Sequence, residues 1–283
     1  AITNACDGIF KTNIEDGQND QSTQNNQVDT MLAKGASAVA VSVCDVTAAP
    51  TLIQKCKDAG NVPIIFFNKE ITDYDVINSY ENAYQVTSTG GDYGASIQAQ
   101  MVIDYWKEHP EMDKNGDGKL QLVYLMGDPG HTASQPRCDY LKSTIEDAGI
   151  EIDLLAEDTG MWVTATAKEK MDAWVSKYGD EIECCVAGND AMALGALQAI
   201  EAAGRKVNED IYLVGVDALT EAVQNVIDGK QTGTVFNNHF AQAQAASDIA
   251  VKFLSGEKVD AVNMVNYEKV TQDNAQEILD MLK

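Results

Sequence analysis

A short acidic stretch near the middle of the chain has the spacing of a calcium-binding loop. Residues 113–121 read DKNGDGKLQ, with oxygen-bearing side chains at Asp113, Asn115 and Asp117 and a glycine after the last of them. An EF-hand loop begins in this way, but its twelfth position is a bidentate Glu, and the residue there is Tyr124. From these residues alone, the stretch is either a calcium loop completed from elsewhere or a solvated turn.

Polar side chains also follow five apolar runs that are typical of buried strands. In parallel sheets, the carboxyl ends of the strands form the edge where ligands bind. Amide and carboxylate groups at such an edge match the vicinal hydroxyls of a sugar, although Asn and Asp also begin turns and cap helices. The residues in question are Asn68, His131, Asn189, Asp217 and Asn237.

The sequence lacks the motifs of several other function classes. It contains no G-x-G-x-x-G, no phosphate-binding P-loop, no G-x-S-x-G and no H-E-x-x-H, and only 3 histidines. Its six cysteines show no zinc-type spacing. A net charge of −24 argues against a nucleic-acid partner.

The elements that must position these residues alternate along the chain. Short runs rich in β-branched residues predict strands, and longer amphipathic segments between them, several ending in glycine, predict helices. This order predicts an α/β fold with parallel sheets and right-handed crossovers. The predicted strands are residues 38–43, 62–67, 120–126, 150–155, 182–187, 211–216 and 233–236.

Eight longer segments carry a resemblance to a known family. They read, in order, DGQNDQSTQNNQVDTMLAKG, VPIIFFNKE, GDPGH, DTGMW, KEKMDAW, GNDAMALGA, VGVDAL and GTVFNN. Over nearly the whole chain, they resemble the glucose/galactose-binding proteins of bacterial ABC sugar transport, which have the periplasmic binding protein type I fold.

The resemblance implies two Rossmann-like lobes joined by a three-segment hinge. The N-terminal lobe would comprise residues 1–87 and 238–269, and the C-terminal lobe residues 88–237 and 270–283. The chain would be a monomeric, non-enzymatic protein that closes like a clamshell on D-glucose or D-galactose. Its partners would be a membrane ABC permease and a chemoreceptor, and its location the periplasm, or the cell surface as a lipoprotein in a Gram-positive organism.

The resemblance also assigns roles to residues. Hydrogen bonds to the sugar would come from Asn68, His131, Arg137, Asn189, Asp217 and Asn237, and Trp162 would stack on one face of the ring. A pyranose suits this set, since its C–H face is apolar and its rim is polar. A structural calcium ion would be bound by Asp113, Asn115, Asp117, the Lys119 carbonyl, Gln121 and Glu183.

The chain departs from the family pattern in two places. An Asp that binds the anomeric end of the sugar and pairs with the arginine is replaced by Ala133, which leaves Arg137 without that partner. The family's first strand, about two dozen residues with its loop and helix, would lie before the sequence AITNAC. The first lobe is therefore expected to lack this strand.

Three alternatives stay open. The same class of protein could bind a pentose or a glycoside, because Ala133 removes a contact that selects the sugar. The chain could be the sensor core of a sugar-responsive regulator, although no helix-turn-helix precedes it. It could be a hydrolase that uses Asp217, but Asp190 is expected to cap the helix it begins, which leaves no second carboxylate at the same edge.

Overall fold

The computed structural model describes residues 2–6, 8–87 and 90–283, and it divides the chain into two compact units. The first unit comprises residues 1–90 and 238–266, and the second comprises residues 91–237 and 267–283. The chain therefore passes from one unit to the other three times. The boundaries predicted from the sequence are 87/88, 237/238 and 269/270.

The first unit is built on a parallel sheet with the strand order β1-β2-β3-β9. Its core holds Phe66, Leu52 and Ile53, each at most 2% exposed. Asp20 starts one helix, because its side chain accepts a hydrogen bond from the backbone N–H of Thr23. The elements are α1 (Ile2–Ala5), α2 (Gln21–Ala33), β1 (Val39–Val41), α3 (Ala49–Asp58), β2 (Ile64–Phe67), α4 (Tyr74–Asn78), β3 (Ala83–Thr87), α10 (His239–Leu254) and β9 (Val262–Met264).

The second unit contains a parallel sheet with the order β5-β4-β6-β7 and a two-stranded antiparallel sheet, β8 with β10. Its elements are α5 (Gly90–Glu108), β4 (Lys119–Met126), α6 (Ser134–Asp147), β5 (Glu151–Thr159), α7 (Thr164–Tyr178), β6 (Cys184–Ala187), α8 (Asp190–Ala202), β7 (Tyr212–Val214), α9 (Thr220–Ile227), β8 (Thr234–Phe236), β10 (Glu268–Val270) and α11 (Ala275–Leu282). Short 3₁₀ helices occupy Val46–Ala48 in the first unit and Pro110–Met112 and Gly179–Glu181 in the second.

The sheets confirm the predicted α/β class with parallel strands, and each of the seven predicted strands contains or overlaps an observed one. Three strands were not predicted: β3, β9 and β10. Within β3, Gln85 is 1% exposed, and its side chain accepts a hydrogen bond from the backbone N–H of Ile71 (3.1 Å). This hydrogen bond allows a polar residue to be buried in the strand. Because Gln85 interrupts the apolar run, a search for apolar runs does not find β3.

A cavity of about 1010 Å³ lies within the first unit. Residues 10–19, helix α2 and the edge strand β1 contribute to its lining, together with Ala246 and Ala250 of α10. The expectation that the first lobe lacks a family strand stays a prediction. Among the described residues, no helix combines the length and the apolar character needed to cross a membrane.

Candidate functional site

Six of the seven predicted sugar contacts belong to the second unit, where Arg137 lies in the first turn of α6 and the others lie in the segments that follow strands. Asp217 follows β7, Asn237 follows β8 and Asn189 follows β6. Asn68, the seventh, belongs to the first unit, where it is exposed at the end of β2. Its amide nitrogen donates a hydrogen bond to Ser42 Oγ at 3.4 Å.

Trp162 lies in a tight turn after β5. Both Met161 (φ 55°) and Trp162 (φ 62°) have a left-handed backbone, and the N–H of Val163 donates to the Gly160 carbonyl at 2.9 Å. The indole packs against the backbone of Gly127, where a Cβ atom would lie only 2.0 Å from the ring. The turn and this contact fix the position of the indole near the carboxyl end of β4. The side chain is only partly buried, so part of the ring stays accessible to a ligand.

Arg137 is buried beside this indole, with its Cζ atom 5.7 Å from the ring centroid. Its Nη1 donates to the Gly188 carbonyl at 2.6 Å, and its Nη2 contacts the hydroxyl of Tyr267 at 3.4 Å. Burial lowers the pKa of the guanidinium, but the nearby Tyr267 and Asp217 outweigh it, so the net change is upward. Arg137 therefore stays charged although it is buried.

Two buried donors at this place have no hydrogen-bond acceptor among the described residues. They are Nε of Arg137 and Nε1 of Trp162. A buried N–H without an acceptor is costly, so such donors indicate a position for water or for the oxygen of a ligand.

His131 packs edge-on against the same indole, with ring centroids 5.4 Å apart and an interplanar angle of 75°. The backbone N–H of Ala133 donates to His131 Nδ1 at 3.1 Å. When Nδ1 accepts in this way, the proton of the neutral ring lies on Nε2, which becomes the donor nitrogen. Ala133 thus orients the imidazole, but it has no polar side chain of its own.

Asp217 and Asn237 complete the group. Burial raises the pKa of the Asp217 carboxyl, while the charge of Arg137 and a hydrogen bond from the Asn237 side chain act in the opposite direction. Asp217 has a left-handed backbone, with φ 107°. Asn189 caps α8, since its Oδ1 accepts from the N–H of Met192 at 3.0 Å, which leaves its Nδ2 group as the donor for a ligand.

The expectation that Asp190 caps a helix is wrong, because Asn189 holds the cap position. Asp190 is the first residue of α8 and is fully buried, and its carboxylate binds the loop that carries Asp217. Sequence reasoning also missed Tyr267, which contacts Arg137. No local pattern marks either residue, since their partners lie 29 and 130 positions away.

Five of the six predicted calcium ligands lie in the loop between the short helix Pro110–Met112 and strand β4 and on the first residues of β4. The Asp113 carboxylate accepts hydrogen bonds from the N–H groups of Gly116 (2.8 Å) and Gly118 (2.9 Å). Glu183, which enters from the residue before β6, accepts from the N–H groups of Lys114 (2.7 Å) and Gln121 (3.1 Å). The loop thus meets a carboxylate that lies 62 positions beyond Gln121.

Two further observations suit a cation in this loop. Glu183 is 1% exposed, and burial together with the charges of Asp113 and Asp117 raises its pKa. Gln121 Oε1 is buried and has no donor within the described chain. No group of three or more His, Cys, Asp or Glu among the described residues meets the geometry of a preformed metal site, since the carboxylates here point to backbone N–H groups. Carboxylate, amide and carbonyl oxygens are nevertheless the donor set that calcium takes.

Comparison with known proteins identifies the family. A model of the periplasmic binding protein domain matches residues 2–258. The chain belongs to the periplasmic binding protein family. It is 39% identical over 282 residues to the D-galactose/methyl-galactoside binding periplasmic protein MglB of Haemophilus influenzae, covering 96% of this chain and 83% of the relative.

Solved structures agree with this assignment. An ABC transporter solute binding protein of Bacillus halodurans with bound myo-inositol has a TM-score of 0.81 at 27% identity, covering 99% of this chain and 92% of that one. A protein of Mycobacterium smegmatis in complex with β-D-fucofuranose has a TM-score of 0.82 at 26% identity, covering 99% and 87%. The resemblance seen in the sequence is confirmed, and the chain is a binding protein of the periplasmic binding protein type I fold and not an enzyme.

Proposed function

We propose that this chain binds a hexose, D-glucose or D-galactose, as the extracytoplasmic solute-binding component of an ABC transporter. In the second unit, Trp162 stacks on the apolar face of the sugar, and the hydroxyls bind His131, Arg137, Asn189, Asp217 and Asn237. The galactose-binding relative supports this choice of ligand. The roles of Asn68 and of closure between the units stay predictions.

One observation carries the proposal. Two N–H groups, Nε of Arg137 and Nε1 of Trp162, are buried without a hydrogen-bond acceptor among the described residues, and the guanidinium lies beside the indole ring. Asp217 and Asn237 add a carboxylate and an amide that are bonded to each other. Oxygen-rich ligands with one apolar face satisfy both features, whereas purely apolar ligands would leave the buried donors unpaired.

Titration calorimetry with D-glucose and D-galactose tests this function. We expect micromolar or tighter binding by the unmodified chain and a loss of at least tenfold for Asp217→Ala and for Trp162→Ala. Asp228→Asn is the matched control, since that exposed carboxylate accepts an amide hydrogen bond from Gln224 on α9 and has no proposed contact with the sugar. Binding that survives both site variants would show that the sugar lies elsewhere, and no heat with either hexose would overturn the choice of ligand.

Ala133 favours a second candidate ligand. Because its side chain cannot hydrogen-bond to an anomeric hydroxyl, this end of the sugar has room for a substituent, and the site lacks one contact that would select a hexose. The alternative ligands are therefore a glycoside or a pentose, and the name of the galactose-binding relative includes methyl-galactoside. Titration with methyl β-D-galactoside and D-xylose, beside D-galactose, separates the candidates, since the tightest binder identifies the class.

A structural calcium ion is part of the proposal. Asp113, Asn115, Asp117, the Lys119 carbonyl, Gln121 and Glu183 would bind it. The burial of Glu183, the raised pKa of its carboxyl and the unpaired Gln121 Oε1 support this site. The ion would offset most of the charge of three neighbouring carboxylates and thereby stabilise the start of β4.

The membrane partner would be an ABC permease, in the periplasm or at the surface of a Gram-positive cell. The solute-binding protein of Bacillus halodurans supports this partner class. Delivery to a chemoreceptor and a monomeric state stay predictions from the family resemblance. Analytical ultracentrifugation with and without sugar would test the monomeric state.

A further inference from the structure

A buried carboxyl group that makes no proposed contact with the sugar lies under the loop that carries Asp217. Asp190 is 0% exposed, and both of its oxygens accept hydrogen bonds. Oδ2 accepts from the backbone N–H of Leu219 at 3.0 Å, and Oδ1 accepts from Gln231 Nε2 at 3.1 Å. The hydroxyl of Thr234 lies 2.8 Å from Oδ1 and 2.9 Å from Oδ2.

These partners belong to the two segments that present the proposed sugar contacts. Leu219 ends the loop that contains Asp217, and Thr234 lies on β8, which ends just before Asn237. The backbone N–H of Asp190 also donates to the Val216 carbonyl at 2.6 Å. Asp190 therefore binds the loop on both sides of Asp217.

The loop needs such support because its backbone is strained. Asp217 has φ 107° and the next residue, Ala218, has φ 52°, and both values lie in a region that residues with a Cβ rarely adopt. Strained conformations persist where surrounding contacts fix them. The contacts of Asp190 to Val216 and Leu219 enclose these two residues.

Gly215 shows that the backbone closely approaches the carboxylate. A Cβ atom at this position would lie 2.0 Å from Asp190 Oδ1. Only glycine therefore leaves room for the Asp190 carboxyl group at its present position. The close contact between the Asp190 side chain and this backbone therefore depends both on the buried Asp190 and on the glycine at position 215.

We propose that Asp190 is a positioning residue of the sugar site, which holds Asp217 in its strained conformation next to Asn237. This inference rests on the proposed sugar-binding role of Asp217. Asp190 makes no contact with the ligand and acts through the loop.

The interaction between the carboxyl groups of Asp190 and Asp217 predicts that sugar affinity depends on pH. Burial, followed by the charge of Asp217, raises the pKa of Asp190 to about 8. The charged groups that face it are Asp217 on the loop and, beyond that, Arg137, whereas Thr234 and Gln231 are neutral. Ionisation of Asp190 adds a second negative charge beside Asp217, and a bound sugar further excludes water, so sugar affinity should fall as pH rises through about 8.

The test compares two threonines of the segment 231–236. Thr234→Val removes the hydroxyl that binds Asp190. Thr232→Val removes one that donates to Asn208 Oδ1 (2.7 Å) and accepts from the N–H of Leu213 (3.0 Å). We expect Thr234→Val to weaken D-galactose binding about tenfold and Thr232→Val to leave it unchanged, with both variants lowering Tm.

Asp190→Asn supplies the second readout. Its sugar affinity should be weaker at pH 7 and constant from pH 7 to 9, whereas that of the unmodified chain falls. If Asp190→Asn does not fold, the comparison of D-galactose affinity between Thr234→Val and Thr232→Val tests the positioning role. Equal affinities for these two threonine variants would overturn the positioning role, provided that Asp217→Ala has lost binding. If Asp217→Ala also binds normally, the proposed sugar site itself is wrong.

Discussion

The indole of Trp162 occupies the space where a side chain at Gly127 would begin. A Cβ atom on Gly127 would lie 2.0 Å from Cζ2 of the ring, far inside van der Waals contact. The conformation of the indole therefore depends on the absence of a side chain at the end of β4. This relationship links a glycine that contacts no proposed ligand to the proposed stacking surface.

Gly127→Ala should consequently displace the indole and weaken hexose binding by ten- to a hundredfold, as measured by calorimetry. Gly188→Ala is the graded control, because its Cβ would lie 3.3 Å from the same ring and 3.3 Å from the Leu125 carbonyl oxygen, which is tight contact but not the overlap found at Gly127. The control should lose less affinity. Unchanged affinity in Gly127→Ala would contradict the stacking role of Trp162.

Ala133→Asp should strengthen hexose binding. Position 133 precedes α6 and lies one helical turn before Arg137, so a carboxylate there can reach both the guanidinium and a sugar hydroxyl. A charge-assisted hydrogen bond contributes about 1.5–3 kcal/mol, which is a gain of roughly ten- to a hundredfold in affinity. Isothermal titration with D-glucose and D-galactose measures it.

Ala133→Asn separates charge from helix capping, since Asn caps a helix as well as Asp does. This control should raise Tm as Ala133→Asp does, but gain little affinity. An equal gain in both variants would show that capping of α6, and not the ion pair with Arg137, accounts for the effect. A loss of affinity in Ala133→Asp alone would indicate a ligand with a substituent at that end.

Calcium should stabilise the protein against heat, and the effect should depend on Glu183. A ligand at about 100 times its Kd adds about 2.7 kcal/mol to the free energy of unfolding. EDTA should thus lower Tm of the unmodified chain by several degrees, as measured by calorimetry, and Glu183→Gln should show no such shift.

Glu181→Gln is the matched control for this experiment. Glu181 carries the same charge two residues earlier, but it is exposed. This variant should keep the full response to calcium and EDTA. If Tm does not change with calcium in the unmodified chain or in either variant, a stabilising ion in this loop is excluded.

The raised pKa of Asp190 predicts how stability depends on pH. Its carboxyl has a pKa of about 8 in the folded chain and about 3.8 when exposed, so between these values the folded chain holds one proton more than the unfolded chain. Folding stability from this group is complete below about pH 3.8 and is lost as pH rises toward 8, by at most about 1.4 kcal/mol per pH unit.

Tm measured from pH 5 to 8 should therefore fall more steeply in the unmodified chain than in Asp190→Asn. The difference between the two curves isolates Asp190 from Glu183 and Asp217, whose pKa values are also raised. Parallel curves would show that Asp190 is ionised in the folded chain throughout this range.

Much of the fold follows from local patterns. Apolar runs such as residues 120–126 lie buried in parallel strands because both faces of the sheet are covered, and no polar residue interrupts the run except Gln121. The strands β9 and β10 escaped prediction because they are only three residues long and partly exposed. Contacts with β3 and β8, distant in sequence, place them in their sheets.

The sequence by itself determined the α/β class, the family and the kinds of residue at the strand ends, because the period of apolar residues and the turn residues after each strand are local properties. Only the tertiary structure decided which of these residues share an environment. It placed Glu183 at the loop of Asp113, and Asp190 under Asp217 and not at a helix cap. Hydrogen bonds across 29 to 69 positions depend on the order of the strands in the sheet, and no local pattern records that order.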